Sequence, residues 1–271
     1  ALASAIGAAK AVGADAASYL VSVLSLVVIR HRSEAPEVRS DTGLGALLAD
    51  TKDGLRFVTR HPMLRKIAAC TGTSNLTGDI GWAVMPVYLV RTLHLSAARI
   101  GLLYAVGAVA GLLGALVARR LIASVGVGRT IVASISVSSI GGLGLPLATP
   151  GAGVWWLAVS FAVFWLGAVT YNVAQVSLRQ AITPPDMLGR MNATMRFMVW
   201  GPMPIGALVG GALGGVIGLR ETLWVSAVSG LLALLWVRVS PVRSLRDIPL
   251  DDEPDPEPDV VPSAVGLLPE P

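Results

Sequence analysis

Apolar runs about as long as a bilayer is thick recur along this chain, separated by short connectors that carry arginine. A helix rises about 1.5 Å per residue, so about 20 apolar residues cross the hydrocarbon core. No water reaches backbone N–H and C=O groups there, which forces each run to close its own hydrogen bonds as a helix. Bounded by charges or Gly/Pro clusters, the runs predict a partial helix ending near Val12 and then seven full spans. These cover residues 14–29, 67–90, 100–117, 130–148, 154–178, 197–219 and 223–239. Hydrophobic residues make up 54% of the 271 and charged residues 14%, where a soluble domain carries roughly 25% charged. The expected fold class is an all-α polytopic membrane protein, solvated by the lipid bilayer.

Seventeen of the 21 Lys and Arg residues fall on the side of the long connectors and the C-terminal tail; four, Lys10, Arg91, Arg99 and Arg220, fall on the other. That asymmetry predicts a multi-pass protein of the cell (inner or plasma) membrane with its long connectors and C-terminus in the cytoplasm. It also accounts for the formal net charge of +4 without a nucleic-acid surface, because the basic residues are spread over connectors and never gathered with aromatics on a soluble face. Two segments lie outside the predicted spans. TGLGALLADTKDGLRFVTRHPMLRK has apolar residues at helical spacing among charges and reads either as an interfacial helix or as a tether. DIPLDDEPDPEPDVVPSAVGLLPEP, from Asp247, is acidic, rich in proline and expected to be disordered.

Cys70 is the one cysteine, so neither an internal disulfide nor a thiolate metal cluster is expected. His31, His61 and His94 are far apart, and no GxSxG, GxxxxGK[ST] or strand-linked GxGxxG occurs. No enzyme activity, cofactor or metal is expected. The opening ALASAIGAAKAVG lacks an initiator Met and a basic leader and reads as the last turns of a helix begun upstream.

An ionisable group at membrane depth is costly and is a functional hypothesis by default. Asp79 is that group, midway along the 67–90 span, and Asn75, Asp79 and Trp82 share a helix face at i, i+4 and i+7. A carboxyl there suits proton coupling or the binding of a cationic substrate; a purely structural carboxyl, hydrogen-bonded to neighbouring helices, is the alternative. A second polar row, Tyr171, Asn172, Gln175 and Arg179, either lines a cavity or bonds between helices. Asp186, after two prolines, reads as the cap of a turn opening the next helix.

GPMPIGALVGGALGGVIG, residues 201–218, places seven glycines and two prolines in one apolar span. Lipid tails are as apolar as Leu, so membrane helices associate through close backbone contact, which small residues permit. Gly206, Gly210, Gly214 and Gly218 recur every four residues, with Ala207, Gly211 and Gly215 beside them, and the expectation is a groove into which another helix sinks. Pro202 and Pro204 are expected to bend the cytoplasmic end of the span.

The run YNVAQVSLRQAITPPDMLGRMNATMRFMVWGPMPIGALVGGALGGVIGLRETLWVSAVSGLLALLW resembles the tenth to twelfth helices of a major facilitator superfamily (MFS) permease. Within that superfamily it is most similar to the bacterial branch of the enterobactin exporter and macrolide efflux proteins. KDGLRFVTRHPMLRK is similar to that branch's central loop, and DAASYLVSVLSLVVIR to its sixth helix. GALVARRLIASVGVGRT resembles the second-half copy of motif A, placing Gly114, Arg119, Arg120, Gly126, Gly128 and Arg129 on it. In that loop the arginines either latch the inward-closed state or serve as ordinary anchors. The resemblance implies an incomplete MFS fold running from the end of helix five to helix twelve. Residues 1–29 would close the N-terminal half, 30–66 form the cytoplasmic central loop, 67–239 the C-terminal six-helix bundle, and 240–271 a cytoplasmic tail. It further implies proton-coupled efflux, by antiport, of small amphipathic molecules, with the missing N-terminal half of the same permease as partner. A non-transporting half-permease remnant or membrane scaffold is the second reading that the residues leave open.

Overall fold

The computed structural model describes residues 8–28, 44–151, 153–240, 242 and 245, and every regular element among them is helical. The chain start before Ala8, residues 30–43 and the acidic tail from Asp247 lie outside the described residues. Helix α1 (Ala8–Val28) comes first, and all of its described side chains are exposed. Helix α2 (Leu44–Arg60) follows, and α3 (Pro62–Val87) begins where His61 caps it. The His61 Nδ1 accepts from the backbone N–H groups of Met63 and Leu64, both at 3.3 Å, and Pro62 is a first residue with no N–H to leave unpaired. Pro86 removes one N–H near the other end, and the helix passes into a π turn over Tyr88–Thr92.

Helix α4 (Ala97–Val125) is capped by Ser96, whose Oγ accepts from the Arg99 N–H at 3.4 Å. It stops at Gly126, where φ is 91°, a backbone region that side chains avoid. Helix α5 (Val127–Gly144) turns straight back and ends in a 3-10 turn over Leu145–Leu147; α6 (Gly153–Ala181) follows. The predicted span 197–219 is found as the last turn of α7 (Leu188–Trp200), which begins inside the stretch expected to be a loop, and all of α8 (Met203–Val216); the break is at Gly201 and Pro202, where the proline lacks the N–H that would continue the ladder. Helices α9 (Leu219–Gly230) and α10 (Leu232–Arg238) form the last crossing.

Five helical segments among the described residues are long and apolar enough to cross a membrane: α4, α5 with its 3-10 turn, α6, α7 with α8, and α9 with α10. The other two predicted spans are helical but fall short for different reasons. Asp15–Val28 is apolar and short. Helix α3 has 26 residues, but Thr71, Thr73, Ser74, Asn75, Thr77 and Asp79 dilute its apolar character.

Helices α4, α5 and α6 pack together, whereas α3 leaves its neighbour in sequence and packs along α8, α9 and α10. Glycine makes the closest of these contacts. A Cβ on Gly206 would run into the carbonyl of Leu76, one on Gly210 into that of Ile80, and one on Gly214 would lie 2.7 Å from Val84 Cγ1. Two rows on four-residue spacing therefore meet backbone to backbone. Gly211 and Gly215 look onto open space, and Gly218, expected on the same packing face, instead forms the turn into α9 with a φ of 100°.

Helix α2 lies against α7 and α3, with Val58 fully buried and Gly54 against the carbonyl of Arg190; the Asp50 carboxylate stands 3.3 Å from the Arg190 Nε. The segment is thus a helix packed on the bundle. Two apolar cores close the ends of the bundle. One gathers Ile67, Cys70, Ile131, Leu178, Met195 and Val237; the other gathers Met85, Tyr88, Leu103, Leu157, Phe161 and Leu223.

Candidate functional site

Between those two cores lies a cavity of about 340 Å³. Helix α3 faces it with Thr71, Ser74, Asn75, Gly78, Asp79 and Trp82, which fall on one side of a helix at steps of three and four. Helix α6 contributes Phe164, Trp165, Ala168, Tyr171 and Asn172 on the same spacing. Ser138, Ser139 and Gly142 of α5 and Ser226, Ala227 and Gly230 of α9 complete the walls. Helices α3 and α6 thus pass through one apolar core, open onto the cavity, and enter the second core.

Hydrogen bonds tie the walls together. The hydroxyls of Thr71 and Tyr171 are 2.7 Å apart and join α3 to α6. Asn75 Nδ2 donates to the Val199 carbonyl at 2.8 Å, and Ser226 Oγ donates to that of Thr77 at 2.7 Å. Gln175 Nε2 donates to Asn172 Oδ1 at 3.0 Å. Three buried polar atoms have no partner among the described residues: Ser74 Oγ, Gln175 Oε1 and Arg179 Nε. The Asp79 side chain is half-buried and likewise without a hydrogen-bond or ion-pair partner among the described residues. Apart from the Tyr171 phenol, it is the only ionisable group on the wall. Rings form another part of the wall. Trp82 meets Phe164 at 5.9 Å and 67° and Trp165 at 5.9 Å and 44°, with fully buried Phe161 behind them, 5.8 Å from Trp82.

The candidates named from sequence divide as follows. Asp79, Asn75, Trp82, Tyr171 and Asn172 come together on the wall, while Gln175 lies one turn beyond it, buried and bonded to Asn172. Arg179 is half-buried another turn away. Phe164, Trp165, Ser138 and Ser139 were not anticipated. A signal existed for the first two: Phe164 and Trp165 stand seven residues before Tyr171 and Asn172, on the same helix face.

The arginine-bearing loop lies away from the cavity. Arg119, Arg120 and Arg129 are exposed and make no ion pair among the described residues. Its glycines make close contacts. Gly114 places its Cα where a Cβ would lie 2.6 Å from the Leu166 carbonyl, and the Gly128 N–H donates to the Leu245 carbonyl at 3.1 Å. A Cβ on Gly128 would collide with the Val242 carbonyl, so this turn seats the segment that follows α10. Asp186 sits exposed in a 3-10 turn over Pro185–Met187; the residue that precedes α7 is Met187, with no side-chain cap. Outside the membrane-spanning part, burial lowers the pKa of His61 from the ordinary histidine value, which favours the neutral ring that caps α3.

The family model of the Major Facilitator Superfamily matches residues 67–266. The Enterobactin exporter EntS of Salmonella choleraesuis (strain SC-B67) is 31% identical over 243 residues, covering 84% of this chain and 54% of that protein. The protein of the same name from Citrobacter koseri is 31% identical over 260 residues, covering 94% and 58%. This chain spans about half the length of the curated relatives it matches. Among solved structures, the outward-facing crystal structure of a bacterial homologue of the iron transporter ferroportin superposes with a TM-score of 0.59 at 18% identity, over 79% of this chain and 51% of that one. That likeness is one of fold.

Proposed function

This chain belongs to the major facilitator superfamily, and on that premise we propose that it is the substrate-binding part of a proton-coupled exporter of small amphipathic molecules. The observation that carries the reading is the cavity itself: a pocket between two apolar cores, at mid-depth in the bundle, with one carboxylate and aromatic rings on its wall. In a membrane carrier the substrate site belongs at that depth, where closing either end in turn exposes it to one side only.

Asp79 takes up and releases the coupling proton or pairs with the substrate. Asn75, Tyr171 and Asn172 supply hydrogen bonds, Gln175 holds Asn172 from one turn beyond the wall, and Trp82 supplies an apolar face. The bundle rocks against a second six-helix half of the same permease, a reading supported by relatives of which the matched part is about half the length. Its arginine-rich connectors, Arg119, Arg120 and Arg129 among them, hold the long loops and the C-terminus on the cytoplasmic side of the inner membrane. The relatives are named enterobactin exporters, and export by this chain is proposed on that similarity.

The test is proton flux in proteoliposomes holding the complete permease and a pH-sensitive dye. Substrate addition should drive proton movement in the wild type and not in Asp79→Asn. Transport that kept its full pH dependence in the variant would remove Asp79 from coupling, and the absence of any substrate-driven flux would remove proton coupling altogether.

A further inference from the structure

We infer that the Asp79 cavity binds a monovalent organic cation with an apolar body and discriminates against anions of the same shape. The inference rests on the cavity being the substrate site and does not require transport. Four features point the same way. Asp79 is the one charged side chain on the wall, and it has no partner among the described residues. A carboxylate at membrane depth without a counter-charge is costly, and a cationic ligand supplies the charge that the fold withholds. The cations of the bundle are placed elsewhere. Lys66 lies over the Trp236 ring, Arg220 donates to the Ala148 carbonyl at 2.7 Å, and Arg179 lies two turns beyond Tyr171.

The aromatic wall is the second feature. Trp82, Phe164 and Trp165 all reach the cavity, and ring faces attract a desolvated cation and repel an anion. Third, the other polar groups on the wall are neutral: hydroxyls, Ser74, Ser138 and Ser139 among them, and the amides of Asn75 and Asn172. The Ser74 Oγ is buried without a partner, which suits a neutral polar substituent and offers an anion no positive donor. Fourth, a volume of about 340 Å³ accepts a molecule with one compact charged centre and its apolar substituents.

The test compares two ions of matched shape and opposite charge, tetraphenylphosphonium and tetraphenylborate, by equilibrium binding to the complete permease in lipid nanodiscs. Empty nanodiscs of the same lipid serve as the background for lipid partitioning. Saturable tetraphenylphosphonium binding about tenfold or more tighter than tetraphenylborate binding is expected, with the preference gone in Asp79→Asn and retained in Asp79→Glu. Trp165→Leu should weaken tetraphenylphosphonium several-fold while its thermal unfolding matches the wild type. Equal binding of the two ions by the wild type overturns the inference without any variant, as does a preference that survives in a folded Asp79→Asn. Cation preference without proton-driven flux would sink the coupled-exporter reading alone; flux with no charge preference would sink this inference alone.

Discussion

Helices α3 and α4 follow one another in the chain and are solvated in opposite ways. Helix α4 is the most apolar of the five candidate spans, yet only six of its 29 residues are buried, and Leu102, Val109, Leu112, Leu113 and Leu116 all stand exposed. Helix α3 is too polar to count among those spans, yet ten of its 26 residues are buried and it touches α8, α9 and α10. In water the more apolar helix would be the central one. In lipid nothing penalises an exposed leucine, whereas a threonine, asparagine or aspartate has to face protein or a polar cavity. The polar helix therefore takes the centre, and the apolar one takes the rim.

The contrast is breakable, and the largest effect should come from charging the rim. Leu112→Asp puts a carboxylate on the exposed face of α4 and should cost about 3 kcal/mol of membrane insertion. An insertion assay on the α4 segment reads this directly. Insertion equal to the wild type would mean that this face does not meet lipid. A somewhat smaller loss is expected in the centre. Gly210→Leu forces a side chain into the Ile80 backbone and should destabilise the bundle by about 2–3 kcal/mol, while Gly211→Leu, onto open space, should stay within about 0.5 kcal/mol. Thermal unfolding in nanodiscs ranks the two, and equal melting would end the argument for backbone contact between α3 and α8.

The smallest effect sharpens the cytoplasmic start of α3. Burial lowers the His61 pKa from 6.5, and its Nδ1 must be unprotonated to accept from Met63 and Leu64. Because the folded value is the lower one, this contribution is full above the ordinary value and is lost as pH falls through the lowered one. Melting followed from about pH 8 to about pH 5 should show a decline that His61→Asn, a cap that does not titrate, flattens. An unchanged pH profile in that variant would mean that the cap does not contribute.

Much of the cavity was legible before the fold was in view. The spacing of Asn75, Asp79 and Trp82, and of Tyr171 and Asn172, reported a shared helix face because the helical period is a property of the backbone alone. Phe164 and Trp165 escaped because an aromatic residue in an apolar span looks the same whether it meets lipid or a ligand. Ser138 and Ser139 escaped because a serine in a membrane helix can bond its own backbone, as Ser139 does to the Ile135 carbonyl at 2.9 Å. Only the packing of α5 on α6, α9 and α10 brings their turn of helix onto the cavity.

What the sequence by itself determined was the set of helices and the costly groups within them. Both follow from local physics: a backbone in hydrocarbon must bond to itself, and a polar side chain there must find a partner. What only the tertiary structure decided was which surfaces meet. The run at residues 201–218 offers two stripes of small residues on four-residue spacing, Gly206, Gly210 and Gly214 beside Ala207, Gly211 and Gly215. One packs on α3 and the other faces open space. Composition cannot choose between them, because close contact depends on the shape of a helix more than a hundred residues away in the chain.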